Sequence, residues 1–130
     1  MTPPAPAPAR RDRRRAETRG RGAEALAALL LILKGHRILA RRARTPVGEI
    51  DLIARKGPTL IFAEVKARAT LDAGAQALVP RQRQRIARAA EAFVRARPGL
   101  AGLDWRFDLI VVAGGWRLRH LKDVWRPGLG

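Results

Sequence analysis

Residues 48–68 read GEIDLIARKGPTLIFAEVKAR, and this stretch decides the fold. Two largely apolar runs, residues 48–55 and 59–67, flank the dipeptide Gly57-Pro58. Runs of this kind around a two-residue turn predict a β-hairpin. Because both faces of the two strands are largely apolar, we expect the hairpin to belong to a sheet that is covered on both sides.

The two-residue turn also determines which residues face each other across the hairpin. In this register Asp51 lies opposite Glu64. Glu49 lies opposite Lys66, and the period of two along each strand puts all four side chains on one face, together with Ile53 and Phe62. Directly opposed side chains have Cβ atoms about 4.5–5.5 Å apart. The residues predicted on the opposite face are all apolar: Ile50, Leu52, Ala54, Ile61, Ala63 and Val65.

Two carboxylates this close among apolar neighbours repel each other, and one is driven to take a proton unless a cation lies between them. Asp51 and Glu64 are therefore candidate ligands of Mg²⁺ or Mn²⁺, which prefer oxygen ligands. Lys66 would orient water or contact phosphate, with Glu49 in a supporting position. The alternative is a ladder in which Glu49 pairs with Lys66 and the other acids are solvated, and the apolar neighbours weigh against it.

The remaining sequence predicts a single α/β (α+β) domain with a mixed central sheet of about five strands flanked by helices. The predicted segments are a helix at 22–34, a strand at 36–42, a loop at 70–79, a helix at 80–97 and strands at 105–113 and 116–121. The domain spans residues 21–126. Residues 1–20 lack large apolar side chains after Met1 and are predicted to be a disordered basic arm, and residues 127–130 a tail.

The chain carries 27 Lys and Arg against 11 Asp and Glu, for a net charge of +16. Such an excess favours a polyanionic partner, and nucleic acid is the partner we expect. The alternatives are an anionic membrane surface and a drift in composition without functional meaning. The absence of Cys excludes disulfides and thiolate metal sites, and the absence of Ser excludes a serine triad. The apolar run at 25–33 is too short to span a membrane and no cleavage site follows it, so a cytoplasmic protein is expected.

The helix predicted at 80–97 carries a stripe of Arg at helical spacing. This stripe is either a surface that contacts phosphates or an ordinary solvated face. Its residues are Arg81, Arg85, Arg88 and Arg95. Arg68, at the end of the hairpin, is a further candidate for nucleic-acid binding, and Gln82 lies on the Ile86 face of the helix, from which it could reach the acids.

Outside these segments the titratable residues predict little chemistry. Asp108 shares its strand face with Ile110 and Val112, which favours a buried ion pair with an Arg over a catalytic role. His36 and His120 have no pair of acids near them in sequence, so neither is predicted to be a ligand or a base.

The hairpin motifs resemble the YraN family of bacterial proteins, a branch of the PD-(D/E)xK nuclease superfamily similar in plan to archaeal Holliday-junction resolvases. The resemblance rests on residues 48–51, on the spacing from Asp51 to Glu64, and on Glu64-Val65-Lys66. Flanking blocks also match, at Gly20, Glu24, Ala27, residues 35–39, Gly74, the helix from Pro80 and residues 106–108. The chain departs from the family pattern at Ala23 (usually Gly), at Arg81 (usually Lys), and at Ile32 and Leu33 (often charged).

This resemblance implies a restriction-endonuclease-like core in which Asp51 and Glu64 are metal ligands and Lys66 is the catalytic lysine. It also implies that Glu24 is a further carboxylate of the metal site, although a helix-dipole partner is the alternative. The function expected is a metal-dependent endonuclease acting on DNA, with branched or single-stranded structures as candidate substrates. The alternatives are a nucleic-acid-binding module that keeps the fold without cleaving, and a basic structural or ribosome-associated protein. The apolar patch on the first helix, which includes Ile32 and Leu33, is a candidate interface for a homodimer.

Overall fold

The computed structural model of the chain describes residues 10–72 and 79–125, with side chains described for residues 20–72 and 79–124. Its elements follow the predicted order of helix, three strands, helix and two strands. They are α1 (Arg10–Leu33), β1 (Arg37–Thr45), β2 (Gly48–Lys56), β3 (Thr59–Arg68), α2 (Pro80–Arg95), a 3₁₀ turn (Pro98–Leu100), β4 (Asp104–Ala113) and β5 (Arg117–Trp125). The predictions for Gly74, for Arg126 and for the tail at 127–130 concern positions outside the described residues.

The five strands form one mixed sheet in the order β1-β2-β3-β4-β5. Strands β3 and β4 are parallel, and the other neighbouring pairs are antiparallel. Parallel neighbours need a long crossover, and the segment that contains α2 makes it. The predicted α/β fold with a mixed sheet of five strands and flanking helices is therefore confirmed.

Two apolar clusters cover the sheet, one under each helix. The α2-side cluster is centred on Ile53, Phe62, Ile86 and Phe93. The α1-side cluster contains Ala27, Ala28, Leu31, Leu52, Ala54, Ile61, Ala63 and Ile110. Since alternate residues of β2 and β3 supply the two clusters, the hairpin is buried on both faces, as its apolar composition predicts.

Helix α1 begins at Arg10, whereas the sequence predicts its start at Gly22. The part of the predicted disordered arm at residues 10–20 is therefore helical, and this boundary was wrong. The prediction rested on the lack of large apolar side chains, which limits burial but not helix formation, and Arg, Ala and Glu favour helices. Residues 1–9 of the arm lie outside the described residues.

Candidate active site

The predicted register of the hairpin holds up to the point where its acidic residues begin. Cross-strand pairs run from the turn to the pair Leu52–Ala63, as predicted. Beyond that pair, the Asp51 carboxylate accepts a hydrogen bond from the backbone amide of Val65 at 2.9 Å. The side chain of Asp51 thus takes the place of a backbone acceptor at the position where the ladder between β2 and β3 stops.

Strand β2 is irregular at Asp51. Ile50 was predicted to share a face with Leu52, but it packs with Ile53 in the α2-side cluster. The alternation of period two is interrupted between these residues, so the prediction for Ile50 was wrong. Bulges and kinks of this kind redirect side chains and are common beside active sites.

The neighbouring strand β1 bends at the same level. Arg42 lies between Arg41 and Ala43, which pair with residues 52 and 50 of β2, so it stands opposite Asp51. Its backbone has φ of +50°, in the left-handed region that side chains other than Gly seldom adopt. Both strands therefore depart from regular geometry at the candidate site.

Asp51 and Glu64 form a largely buried carboxyl pair. Burial, followed by repulsion from Asp51, raises the pKa of Glu64 to about 7. Burial also raises the pKa of Asp51, against the opposing effect of the hydrogen bond from the Val65 amide. Repulsion between the two carboxyls therefore favours a protonated Glu64. The positive charge of Lys66 opposes this rise in pKa for both acids but only in part.

Lys66 is the nearest cation to this pair along the strand. Its Nζ lies 3.3 Å from Oε1 of Glu64, and the two side chains are only 15% and 16% exposed. The structure thus brings together the three residues on which the sequence analysis placed the chemistry, Asp51, Glu64 and Lys66.

Glu49 does not pair with Lys66 as predicted. The ladder stops before it, and Oε2 of Glu49 instead lies 3.7 Å from Nε of Arg44 on β1. The solvated ladder of ion pairs, which was the alternative interpretation, is also wrong because Glu64 is buried rather than solvated.

Glu24 of α1 is held by Arg42. Its side chain is 10% exposed, and its Oε2 accepts a hydrogen bond from Nε of Arg42 at 2.7 Å. Its negative charge adds to burial in raising the pKa of Asp51. The helix-dipole interpretation fails because Glu24 lies in the interior of α1, which begins at Arg10. Within residues 10–72 and 79–125, no three Asp, Glu or His side chains are arranged to hold a metal ion.

The basic stripe of α2 lies beside the start of β2. A Cβ atom on Gly48 would lie 2.9 Å from Cγ of Arg85, and Gly48 has φ of +151°, so both contact and conformation favour glycine there. Arg81, Arg85, Arg88 and Arg95 are all exposed. The stripe is available to a ligand next to the strand that carries Asp51.

The other predicted contacts are more peripheral. Gln82 accepts a hydrogen bond from the Val79 amide at 3.3 Å, which engages it at the first turn of α2. Arg68 is exposed and donates to the carbonyl of Ala67 at 2.9 Å. It borders a groove of about 920 Å³ between α1 and the ends of β3 and β4. The lining residues are Gly22, Ala23, Leu26, Ala67, Arg68, Ala69, Val112, Gly114 and Gly115.

Another buried acid, Asp108 of β4, is fully paired. Arg106 donates two hydrogen bonds to it, at 2.9 and 2.8 Å, and His120 and the Asp123 amide donate others at 2.7 and 2.9 Å. Burial alone would raise the pKa of Asp108, but the hydrogen bonds from His120 and Arg106 outweigh it and lower the pKa to about 2. The predicted buried ion pair with an Arg is confirmed.

The rest of this centre was not predicted from the sequence. Nδ1 of His120 accepts a hydrogen bond from Nζ of Lys34 at 2.9 Å, while its Nε2–H donates to Asp108. Lys34 follows α1, so the chain of contacts joins that helix to β5. The only sequence signal was a His on an apolar strand, and its partners lie 12 and 86 residues away.

The apolar patch predicted on α1 is exposed, with Ile32 52% and Leu33 76% accessible. A second copy of the chain as its partner stays a prediction. Neither helix in the described part of the chain is long and apolar enough to cross a membrane.

The fold and the site together define a small, basic α/β protein with a buried carboxyl pair and a lysine where two strands part. Residues 23–112 match the family described as "Uncharacterised protein family UPF0102". The chain therefore belongs to the UPF0102 family, which confirms the resemblance to YraN proteins.

Three relatives illustrate the match. The UPF0102 protein of Parvibaculum lavamentivorans is 52% identical over 104 residues, which cover 80% of this chain and 78% of the relative. That of Bradyrhizobium sp. (strain ORS 278) is 60% identical over 98 residues, covering 75% and 70%. That of Paramagnetospirillum magneticum is 53% identical over 108 residues, covering 79% and 83%.

Proposed function

We propose that this protein is a divalent-cation-dependent endonuclease of the PD-(D/E)xK type, which hydrolyses DNA phosphodiesters in the cytoplasm. The observation that carries the proposal is the buried Asp51–Glu64 pair with Lys66 3.3 Å from Glu64. A buried pair of acids that repel each other is costly, and a bound cation removes that cost. The mixed sheet between two helices, with the acids on β2 and β3, is compatible with a restriction-endonuclease-like core.

The donor set fits Mg²⁺ or Mn²⁺. Asp51 and Glu64 offer only carboxylate oxygens, and burial raises the pKa of both groups, to about 7 for Glu64. These two residues would hold the ion, because hard divalent cations prefer oxygen ligands and supply the missing charge. Such an ion, when bound, activates water and neutralises the charge that develops on the phosphate.

Lys66 adds a fixed positive charge beside the pair. Its ammonium group would orient the attacking water or contact a phosphate oxygen as a point charge. Since the ammonium is largely buried against Glu64, its position is constrained before substrate binds. Constrained charges of this kind need little reorganisation during the reaction.

The surrounding cations would hold the nucleic acid. The exposed stripe of Arg81, Arg85 and Arg88 would contact backbone phosphates, as would Arg68 at the edge of the groove. Contacts to phosphates carry no base sequence, so this surface favours recognition of DNA by shape, including branched or single-stranded structures.

A second candidate function is a nucleic-acid-binding module that keeps the fold but does not cleave. It is favoured by one observation: Glu24, which the resemblance assigns to the metal site, is paired with Arg42 at 2.7 Å. In that case the charge of the protein serves binding alone, and divalent cations would have no specific effect at Asp51.

Cleavage of end-labelled DNA distinguishes the two functions. Branched, single-stranded and duplex DNA, with RNA of the same sequence, are incubated with Mg²⁺ or Mn²⁺ and the full chain. We expect metal-dependent cutting that falls about 100-fold or more in Glu64→Gln and in Lys66→Met. Glu91→Gln is the matched control, because Glu91 is exposed on α2, and it should cut at the wild-type rate. Tight binding without cutting by the wild type would establish the binding module instead.

A further inference from the structure

Arg42 occupies an unusual position in the candidate site. It is one of two residues other than Gly with positive φ in the described part of the chain, and it stands on β1 opposite Asp51. Strained backbone persists where surrounding contacts hold it, and such positions cluster at functional sites. The contact that holds Arg42 here is its hydrogen bond to Glu24.

The ion pair between Arg42 and Glu24 joins a largely buried group to a partly exposed one. The Glu24 side chain is 10% exposed, whereas that of Arg42 is 37% exposed. The guanidinium is therefore the partner that a ligand in solution can contact, while the carboxylate is largely enclosed. The bond uses Nε, which is one of the five N–H donors of a guanidinium.

We propose that Arg42 is a displaceable internal counter-ion, which withholds Glu24 from the cation site until a divalent cation or a phosphate of the nucleic acid replaces one partner. This inference rests on the proposed function and deepens it. When the cation binds at Asp51 and Glu64, it also attracts Glu24, and the released guanidinium turns to a phosphate. The third carboxylate that the resemblance implies thus joins the site only in the loaded protein.

The charges around Asp51 explain why such a counter-ion is needed. Without Arg42, Glu24 would be a further acid without a positive partner near Asp51 and Glu64, whose pKa values are already raised. A divalent cation supplies two positive charges to the same group of acids, so Arg42 becomes unnecessary there. Cation and phosphate then assist each other's binding through Arg42, and this coupling is reciprocal.

Calorimetric titration of the full chain with Mn²⁺, without nucleic acid, tests the competition directly. We expect Arg42→Gln to bind Mn²⁺ about fivefold more tightly than the wild type, because the competitor for Glu24 is gone. Arg42→Gly should behave alike and keeps the fold, since glycine suits φ of +50°. Arg44→Gln is the matched control, as it removes the same charge from a carboxylate pair on the same strand. It should stay within about twofold of the wild type.

A double variant separates competition from a general loss of positive charge. If Arg42 acts through Glu24, the gain in Arg42→Gln should vanish when Glu24→Gln is added. A gain that persists without Glu24, or Mn²⁺ binding that is unchanged or weaker in both Arg42 variants, would overturn the inference while leaving the proposed function intact. Failure of the wild type to bind Mn²⁺ at all would overturn the proposed function and this inference with it.

Discussion

Two buried carboxylate centres occupy successive positions of the parallel pair β3–β4, and they are built in opposite ways. Glu64 pairs with Leu109 of β4, and Asp108, one residue before Leu109, pairs with Ala63. Asp108 receives four hydrogen bonds, and its pKa falls to about 2. Glu64 faces a second acid, and its pKa rises to about 7.

The difference shows that burial alone does not identify a functional acid. Both side chains are buried, but the donors around Asp108 satisfy its charge, whereas Glu64 has Lys66 on one side and Asp51 on the other. A satisfied acid stabilises the fold that surrounds it. An acid whose pKa is raised to about 7 changes charge near neutral pH, and under the proposed function it is the one that binds a cation.

The largest effect on stability is expected at the satisfied centre. Asp108→Asn keeps the shape of the side chain but removes the charge that Arg106 and His120 contact, leaving two buried donors poorly paired. Breaking a buried ion pair in this way should lower the free energy of unfolding by about 3 kcal/mol or more. Urea unfolding at neutral pH, followed by circular dichroism, measures this change.

Asp72→Asn is the matched control for that measurement. Asp72 also contacts an Arg, with Arg119 at 3.5 Å, but its side chain is 99% exposed. Exposed pairs contribute little, so this variant should unfold within about 0.5 kcal/mol of the wild type. If Asp108→Asn were equally mild, the paired Asp108 would not stabilise the surrounding fold as inferred.

At the Asp51–Glu64 pair, removing an acid is expected to raise the free energy of unfolding rather than lower it. Folding raises the pKa of Glu64 to about 7 from its ordinary value of 4.5, so the folded protein loses stability as pH rises between these values. Glu64→Gln stays neutral and can still donate to Asp51. It should therefore unfold with a free energy about 3 kcal/mol higher than the wild type near pH 8, and within about 1 kcal/mol of the wild type near pH 5.

Added Mn²⁺ provides the second half of that comparison. The cation should stabilise the wild type near pH 8 and have little effect on Glu64→Gln, since binding to the folded state alone raises its stability. Thermal unfolding with and without the ion measures both effects. A variant that is less stable than the wild type near pH 8 would contradict the raised pKa of Glu64.

The hairpin could be predicted from sequence because its register depends on local features. Gly57 has φ of +58°, which suits the first central position of a two-residue turn, and the turn then aligns the pairs as far as Leu52–Ala63. The kink at Asp51 could not be predicted, because it is matched by the backbone of Arg42 on another strand. The prediction continued the regular ladder past that kink. It therefore placed Ile50 on the wrong face and Glu49 opposite Lys66 instead of beside Arg44.

Contacts between segments that lie far apart in the chain also could not be predicted from the sequence. The ion pair of Asp108 with an Arg was predicted from the apolar residues on its strand face, but His120 and Lys34 come from β5 and the end of α1. Their meeting depends on how the helix lies on the sheet. Only the family resemblance assigned Glu24 to the metal site. The spacing of Glu24 and Arg42 in the sequence did not indicate the bond between them.

The smallest of the three effects appears in acid. Folding lowers the pKa of Asp108 to about 2 from 3.8, so its contribution to stability is complete above the higher value and is lost as pH falls through the lower one. The gap in unfolding free energy between the wild type and Asp108→Asn should therefore shrink by about 2 kcal/mol between about pH 6 and pH 2. Urea unfolding across this range measures the gap, and Asp72→Asn again serves as the control. The gap for Glu64→Gln should change between pH 4.5 and about 7 instead, so the two centres are separated by pH window as well as by sign. A gap for Asp108→Asn that stays constant down to the lowest pH would show that the hydrogen bonds, not the charge of Asp108, stabilise this end of the sheet.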